Sequence, residues 1–433
     1  MIATLLTALI LISWLYWLVA LWLVFDFFRP GRPTPQPPST RSELARNTVK
    51  GQAPPYEGGG ALVPPSLFRR GGQGGEVPFA PPVSILKPIK GVDAQAYQNF
   101  ASFCRQDYPS GFELLFGVAD PDDPVIPLIE RLKREFPEVS IRLFVSQPKG
   151  ANRKACLLHH LAGQARYETL VISDSDMRVT PDYLRRVVAP LADPTVGLVT
   201  CPYIGAQALN LTAGLEALHM GVTFLPSIVI ARKVLDMRFA MGASVTLRRG
   251  DLARIGGFAA LADYLADDYQ LGARIAGLGL KVRLSDYVVK CVLGATCFRE
   301  QWEREVRWMR CASVSRRLEY PGLLLSYATP LALALTLLTG PTPASLQLLI
   351  GSLLLRWAAA WLISGRTGDL EARRWLVWLP VRDLLSALTW IAGGLGRRIA
   401  WRGEEFLLTA GGRMAPAPAR WTAQFTGRLR RLH

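Results

Sequence analysis

Charge is missing in two places where a soluble protein would carry it. No charged side chain occurs between Met1 and Phe25, and none between Tyr320 and Leu355. A membrane span needs only about 20 mainly apolar residues, so both stretches are long enough. The first lacks a basic start and an Ala-x-Ala-like cleavage site, which predicts a retained anchor rather than a signal peptide. The second is broken at Thr339-Gly-Pro-Thr-Pro and predicts one span near Leu323–Leu338 and the start of another near Ser345–Gly365. Histidine and cysteine are scarce, at four and six residues, and no Cys-x-x-Cys pair occurs. That argues against a zinc site and leaves the cysteines as reduced, mostly buried thiols. Internal repeats and nucleic-acid-binding motifs are also absent.

Acidic residues are outnumbered by basic ones, 34 to 50, for a net charge of +16. The excess flanks the apolar segments: Arg29, Arg32 and Arg41 follow the first span, and almost no positive charge precedes it. The positive-inside rule then places the N-terminus outside and the polar block in the cytoplasm, as in a multi-pass protein of the inner (cytoplasmic) membrane. Basic flanks of this kind favour anionic lipid head groups, and nucleic acid is not an expected partner.

Residues 29–80 are rich in Pro and Gly and read as a flexible tether. A regular alternation follows. Val83–Leu86, Leu114–Val118, Ile141–Val145, Leu170–Ile172 and Val196–Thr200 are short apolar runs, separated by helical patterns. The alternation predicts an α/β domain with a mostly parallel, doubly wound sheet, whose ligand lies beyond the carboxyl ends of the strands. Leu209–Ile230, with Gly214, Gly221 and Pro226, is predicted to lie against the bilayer, and Arg299–Glu319 reads as an interfacial helix. Trp375–Gly396 contains Pro380, Arg382 and Asp383; a full crossing would put the basic tail outside, so a re-entrant or interfacial hairpin is expected. The expected layout is an anchor over 1–28, a tether over 29–80, the α/β domain over 81–298, and an interfacial helix over 299–319. Membrane segments over 320–396 and a basic tail over 397–433 complete it.

Chemistry is concentrated in a few acidic and basic clusters. Asp174-Ser-Asp176 follows an apolar strand and can hold Mg²⁺ or Mn²⁺ between two carboxylates, with a nucleotide diphosphate supplying further oxygens. Its bland alternative is a solvated turn. Asp120-Pro-Asp122-Asp123 can meet a base or ribose, or be a Pro-rich turn with Asp caps. Lys87 and Lys90 follow the first strand and offer cations near phosphate, or are surface lysines. Asn152-Arg153-Lys154 opens a helix whose N-terminus suits phosphate. Asp267-Asp268 either caps a helix or supplies a carboxylate, Asp268, that takes a proton from an acceptor hydroxyl. Arg304-x-x-Arg307-Trp308 places two cations on one helical face, able to neutralise a departing diphosphate with Trp308 packed beneath. The same helix also serves as an amphipathic interface.

Taken in order, Ser84-Ile-Leu-Lys-Pro-Ile-Lys-Gly-Val-Asp, Gln106-Asp-Tyr-Pro, Asp120-Pro-Asp-Asp-Pro, Asp174-Ser-Asp, Gly256-Gly-Phe, Asp267-Asp-Tyr and Arg304-x-x-Arg-Trp resemble the ceramide glucosyltransferase family. That family includes bacterial hopanoid-associated glycosyltransferases. The resemblance runs from about Pro82 to Trp308 and more weakly beyond. It implies a nucleotide-sugar-binding fold of the GT-A type, inverting chemistry and a lipid acceptor, ceramide or hopanoid. Asp123, Asp174 and Asp268 match the family's three signature aspartates. Eukaryotic relatives carry a single Asp followed by Ser-Gly where this chain has Asp174-Ser-Asp176. Phe224–Val229 and Val381–Ser386 look closer to the bacterial branch. The expected activity is transfer of a hexose from a UDP-sugar to a membrane-lipid hydroxyl. A processive polysaccharide synthase is the competing enzyme, and a non-catalytic membrane scaffold on a decayed fold is the third reading. Only about three spans are visible, fewer than a product channel normally needs, and the intact acidic clusters argue against decay.

Overall fold

The apolar runs that alternate with helical patterns become strands and helices within a residue or two of the expected bounds. The computed structural model describes residues 1–29, 79–147, 149–234, 237–401 and 404–417. Most of the expected tether, with Arg32 and Arg41, lies outside the described residues, as does the tail beyond residue 417.

After helix α1 (Ile2–Phe27), the chain enters the α/β domain through β1 (Val83–Pro88), α2 (Ala96–Cys104), β2 (Phe112–Val118) and α3 (Ile126–Glu135). It continues through β3 (Ser140–Val145), α4 (Arg153–Gln164), β4 (Thr169–Ser173), β5 (Met177–Arg178), α5 (Tyr183–Val188), β6 (Val196–Thr200) and β7 (Tyr203–Ala208). Helices α6 (Leu211–His219) and α7 (Leu225–Val234) are joined by a π turn, and β8 (Ser244–Arg248), α8 (Arg249–Arg254), α9 (Asp267–Gly277), β9 (Lys281–Leu284) and β10 (Val289–Gly294) complete the domain.

Seven strands form the main sheet in the order β3-β2-β1-β4-β8-β6-β9. Every neighbouring pair is parallel except those made by β8, which runs antiparallel to β4 and β6. Strands β1, β4 and β6 are buried along their whole length, because helices cover both faces. The strand order reverses between β1 and β4. In open sheets of this kind a ligand crevice is expected there, at the carboxyl ends that carry Lys87 and Asp174. A second sheet, β5-β10-β7, lies beside it.

The membrane region comprises α10 (Phe298–Ser315), a 3₁₀ turn (Tyr320–Ser326), α11 (Ala328–Thr339), α12 (Pro343–Thr367), α13 (Leu370–Trp375) and α14 (Leu379–Gly394). Helices α1, α11 and α12 pack together: the Trp17 indole donates to the Ser326 carbonyl at 3.1 Å and the Trp14 indole to Ser352 Oγ at 2.9 Å. Among the described residues, four helical stretches are long and apolar enough to cross a membrane: Ile2–Phe27, Leu211–Val234, Pro343–Thr367 and Leu370–Gly394.

Three segments read as membrane-associated differ in detail from the expected layout. Leu211–Val234 is largely enclosed by protein, with 78% of its apolar window buried. The glycines that made it a poor span are contact points: a Cβ at Gly214 would come within 2.2 Å of the Trp375 ring, and one at Gly221 within 1.9 Å of the Asp369 carboxylate. Leu370–Gly394 is a run of helix with no hairpin turn inside it, and the chain at both of its ends reaches the α/β domain. Its awkward charges are satisfied in place, Arg382 by Glu305 at 2.7 Å and Asp383 by Arg356 at 2.8 Å. A sharp bend falls in the segment read as a span near Leu323–Leu338, where the 3₁₀ turn meets α11 at 79°.

The basic tail begins with a small sheet, β11 (Arg398–Trp401), β12 (Glu404–Leu408) and β13 (Met414–Pro416). It rests on the α/β domain: Met414 N donates to the Asp263 carbonyl at 2.8 Å and Leu265 N to the Gly412 carbonyl at 3.2 Å. The first turn of α13 touches the same domain, with Glu371 accepting from Gln207 N at 2.9 Å.

Candidate active site

Residue Asp174 sits at the end of β4, and two lysines set its position. Lys87, wholly buried on β1, donates to the Asp174 carbonyl at 2.9 Å and lies 3.7 Å from the centre of the Phe103 ring. The Asp174 carboxylate meets Lys154 Nζ at 2.5 Å. Lys154 is aimed there because Asn152 caps α4, accepting from Ala155 N at 3.0 Å. The Asn152 amide also donates to the Tyr264 carbonyl at 2.8 Å, which ties α4 to the loop leading into Asp267 and Asp268. That loop turns through Gly256 and Gly257, with φ of +87° and +66°, a backbone that side chains resist and that explains the Gly-Gly-Phe motif.

The clusters 174 and 268 converge on Gly242. Asp268 accepts from Gly242 N and Tyr269 N, both at 2.7 Å. A Cβ on Gly242 would stand 3.2 Å from Asp268, 3.2 Å from Lys154 Nζ and 3.6 Å from Asp174. The missing side chain leaves room between two carboxylates, Asp268 and Asp174, and the Lys154 ammonium. Nothing in the local sequence marked Gly242.

Burial controls the electrostatics. Asp268 is pushed up to about 6 by burial and by Asp267, against the pull of Lys154. For Lys154, burial favours the neutral form, but Asp174 and Asp267 outweigh it and the ammonium is strengthened. Lys87 falls to about 7 because burial exceeds the help of Asp174, Asp176 and Asp93. Asp176 rises to about 7 through burial, Asp174 and Asp93, and its carboxylate accepts from the Cys291 thiol at 3.3 Å.

No group of three or more His, Cys, Asp or Glu side chains able to hold a metal occurs among the described residues. A divalent ion would therefore rely on Asp174 and Asp176 and on ligand oxygens. The donor chemistry fits a hard cation. The crowding of carboxylates points the same way, since Asp174 raises Asp93, and Asp174 and Asp93 raise Asp176.

Other expected residues separate into groups. Asp123 is buried and accepts from Gly91 N at 2.9 Å and Val125 N at 3.0 Å, pinning the loops after β1 and β2 together. Asp120, Asp122 and Lys90 are exposed around it. Lys87 was expected to face phosphate; it faces inward and props Asp174 instead. On α10, Arg304 binds Glu216 of α6 at 2.6 Å, and its guanidinium lies 6.0 Å from the Trp308 ring. Arg307 is half-buried one turn on. The Cys291 thiol is held protonated by burial and by the nearby Asp176 and Glu216, with Arg304 pulling the other way.

The model of glycosyl transferase family 21 matches residues 68–414. The chain belongs to glycosyl transferase family 21. Ceramide glucosyltransferase 3 of Caenorhabditis elegans is 27% identical over 346 residues, covering 78% of this chain and 74% of that protein. Beta-monoglucosyldiacylglycerol synthase of Synechocystis sp. is 28% identical over 151 residues, 34% of this chain and 30% of that protein. A solved mannosyltransferase from Pyrobaculum calidifontis, in complex with GDP-Man and Mn²⁺, covers 90% of this chain and 99% of its own at 18% identity and a TM-score of 0.48. This family 21 member is a membrane-associated hexosyltransferase acting on lipid. Its α/β domain has the layout expected of the GT-A type.

Proposed function

We propose that this family 21 enzyme moves a hexose from a UDP-sugar to the hydroxyl of a membrane lipid, ceramide or a hopanoid, with inversion at the anomeric carbon. The reading rests on the meeting of Asp174, Lys154 and Asp268 around Gly242. The acceptor oxygen attacks the anomeric carbon as the bond to the diphosphate breaks, and its proton passes to Asp268. A base raised to about 6 is ionised at neutral pH yet still basic enough to accept it. Lys154, Arg304 and Arg307 face the charge that develops on the departing UDP. Mg²⁺ or Mn²⁺, held by Asp174 and Asp176 together with the diphosphate, would neutralise that charge further. Asp120, Asp122 and Asp123 mark where the nucleoside would lie, with Lys90 at the rim.

The same reading places the α/β domain, the start of α13 and the β11–β13 sheet on one face of the inner membrane, the cytoplasmic one. The contacts of Glu371 and Met414 with the domain support it, and so do the basic flanks. Cysteine labelling that finds the tail on the opposite side would reject this topology. The activity itself is tested by offering several UDP-sugars with ceramide and hopanoid acceptors and analysing lipid products by mass spectrometry. A glycolipid with the inverted linkage is expected. A growing polysaccharide, or no product from any pair, would reject the reading.

A further inference from the structure

A cavity of about 440 Å³ opens away from the catalytic crevice, between the end of α10, the Tyr320 turn, the end of α14 and the β11–β13 sheet. Its size falls within the roughly 300–1,000 Å³ of small-molecule sites. Arg317 and Arg397 line it, with Ser313, Tyr320 and Gly411, and no carboxylate does. Both arginines are exposed, and neither side chain has a hydrogen-bond or ion-pair partner among the described residues. Neighbouring arginines are committed elsewhere: Arg310 donates to the Arg398 carbonyl and Arg316 pairs with Glu319. The two that face the cavity are therefore available to a ligand.

Near each arginine stands a strongly exposed leucine. Leu318 is 96% exposed and Leu395 is 82% exposed. Leucine pointing out beside arginine is the pattern of a bilayer interface, where the apolar side chain enters hydrocarbon and the cation stays at the phosphates. Guanidinium groups bind phosphate through paired N–H donors. We infer that this cavity is a binding site for the head group of an anionic phospholipid. Its acyl chains would lie along Leu318 and Leu395.

Occupancy would reach the base. The cavity wall at Gly411 accepts from the Gln270 amide at 3.0 Å, and Gly412 accepts from Leu265 N at 3.2 Å. These contacts bracket Asp267 and Asp268. A bound head group would join the end of α10 to β11 and so hold the acceptor loop in register with the bilayer. The inference does not depend on which sugar or acceptor lipid is used.

The test is native mass spectrometry of the full chain in detergent, titrated with phosphatidylglycerol, phosphatidylcholine or inorganic phosphate. Phosphatidylglycerol should be retained in preference to phosphatidylcholine. The double variant Arg317→Gln/Arg397→Gln should weaken its retention by about thirtyfold, from the contribution of each arginine near an anionic head group. Arg317→Lys/Arg397→Lys should keep part of it. Arg299→Gln, which removes an exposed arginine at the other end of α10, should change nothing. Equal retention by the double glutamine variant, or equal retention of phosphatidylcholine by the wild type, would overturn the site. Displacement of the lipid by millimolar phosphate alone would show a soluble-phosphate site and overturn the lipid assignment.

Discussion

In the membrane region, buried cations and carboxylates come in matched pairs, Arg356 with Asp383 at 2.8 Å and Arg382 with Glu305 at 2.7 Å. In the α/β domain, five carboxylates, Asp93, Asp174, Asp176, Asp267 and Asp268, crowd two lysines, Lys87 and Lys154. The contrast follows from what each region can tolerate. A lone charge among apolar helices has no water and no ligand to fall back on, so pairing there is structural. Beside an open crevice, surplus negative charge persists at the expense of raised carboxyl pKa values. Such a surplus marks a place meant for something positive, or for a proton in transit. The Arg304–Glu216 pair lies at the seam, matched like the first group but next to the second.

The largest effect should come from unbalancing the matched half. Arg382→Met leaves Glu305 buried without its cation, and breaking such a pair typically costs about 3–5 kcal/mol. Thermal melting in detergent should show it, and Glu305→Leu/Arg382→Met should regain most of the loss. A single variant as stable as the wild type would erase the distinction between the regions. On the unbalanced side, Asp268→Asn should leave the fold intact and cut turnover by at least about a hundredfold, the lower end of what a positioned base supplies. UDP-sugar binding, measured by calorimetry, should hardly change. Lost binding would move Asp268 into the donor site.

The α/β strands were legible because buried parallel strands announce themselves as apolar runs between turn signals. Asp174, Asp268 and Lys154 were legible as charged residues at strand and helix ends. Gly242 was not, since its contribution is an absent side chain at a meeting point of distant segments. The inward turn of Lys87 was equally hidden, because a lysine after a strand reads as a surface cation until its neighbours are known. Charge and glycine in the apolar helices were read only as reasons not to span. Arg382, Asp383, Gly214 and Gly221 are also packing contacts, whose partners lie far off in sequence.

A smaller loss should follow from filling the gap at Gly242. In Gly242→Ala the methyl group would press Asp268 and Lys154 at 3.2 Å each, forcing shifts of a few tenths of an ångström. A misplacement of 1 Å can lower rates by about 10²-fold, so a fall of about tenfold is expected here. It should appear in turnover more than in thermal stability. An alanine variant with full turnover would mean the three groups do not share a substrate.

The smallest effect is a matter of slope, and it separates the two regions without any mutation. Asp268, raised to about 6 in the folded enzyme, must be ionised to act as a base. Turnover at low donor concentration should therefore hold from pH 8 to 7 and fall as pH drops through about 6. Stability should run the other way. A carboxyl whose pKa is higher folded than unfolded binds its proton more tightly in the native state, so its contribution is full below the unfolded value of 3.8. That contribution is lost as pH rises through about 6. Asp267, also raised by burial, has the same sign. The ligand-free enzyme should thus melt at a lower temperature at pH 7 than at pH 5, while turning over faster at pH 7. In Asp268→Asn the melting temperature should depend less steeply on pH, because one titrating carboxyl is gone. Parallel slopes for activity and stability in the wild type would show that Asp268 is not strained in the native state, and would leave the surplus charge of the crevice unexplained by a base.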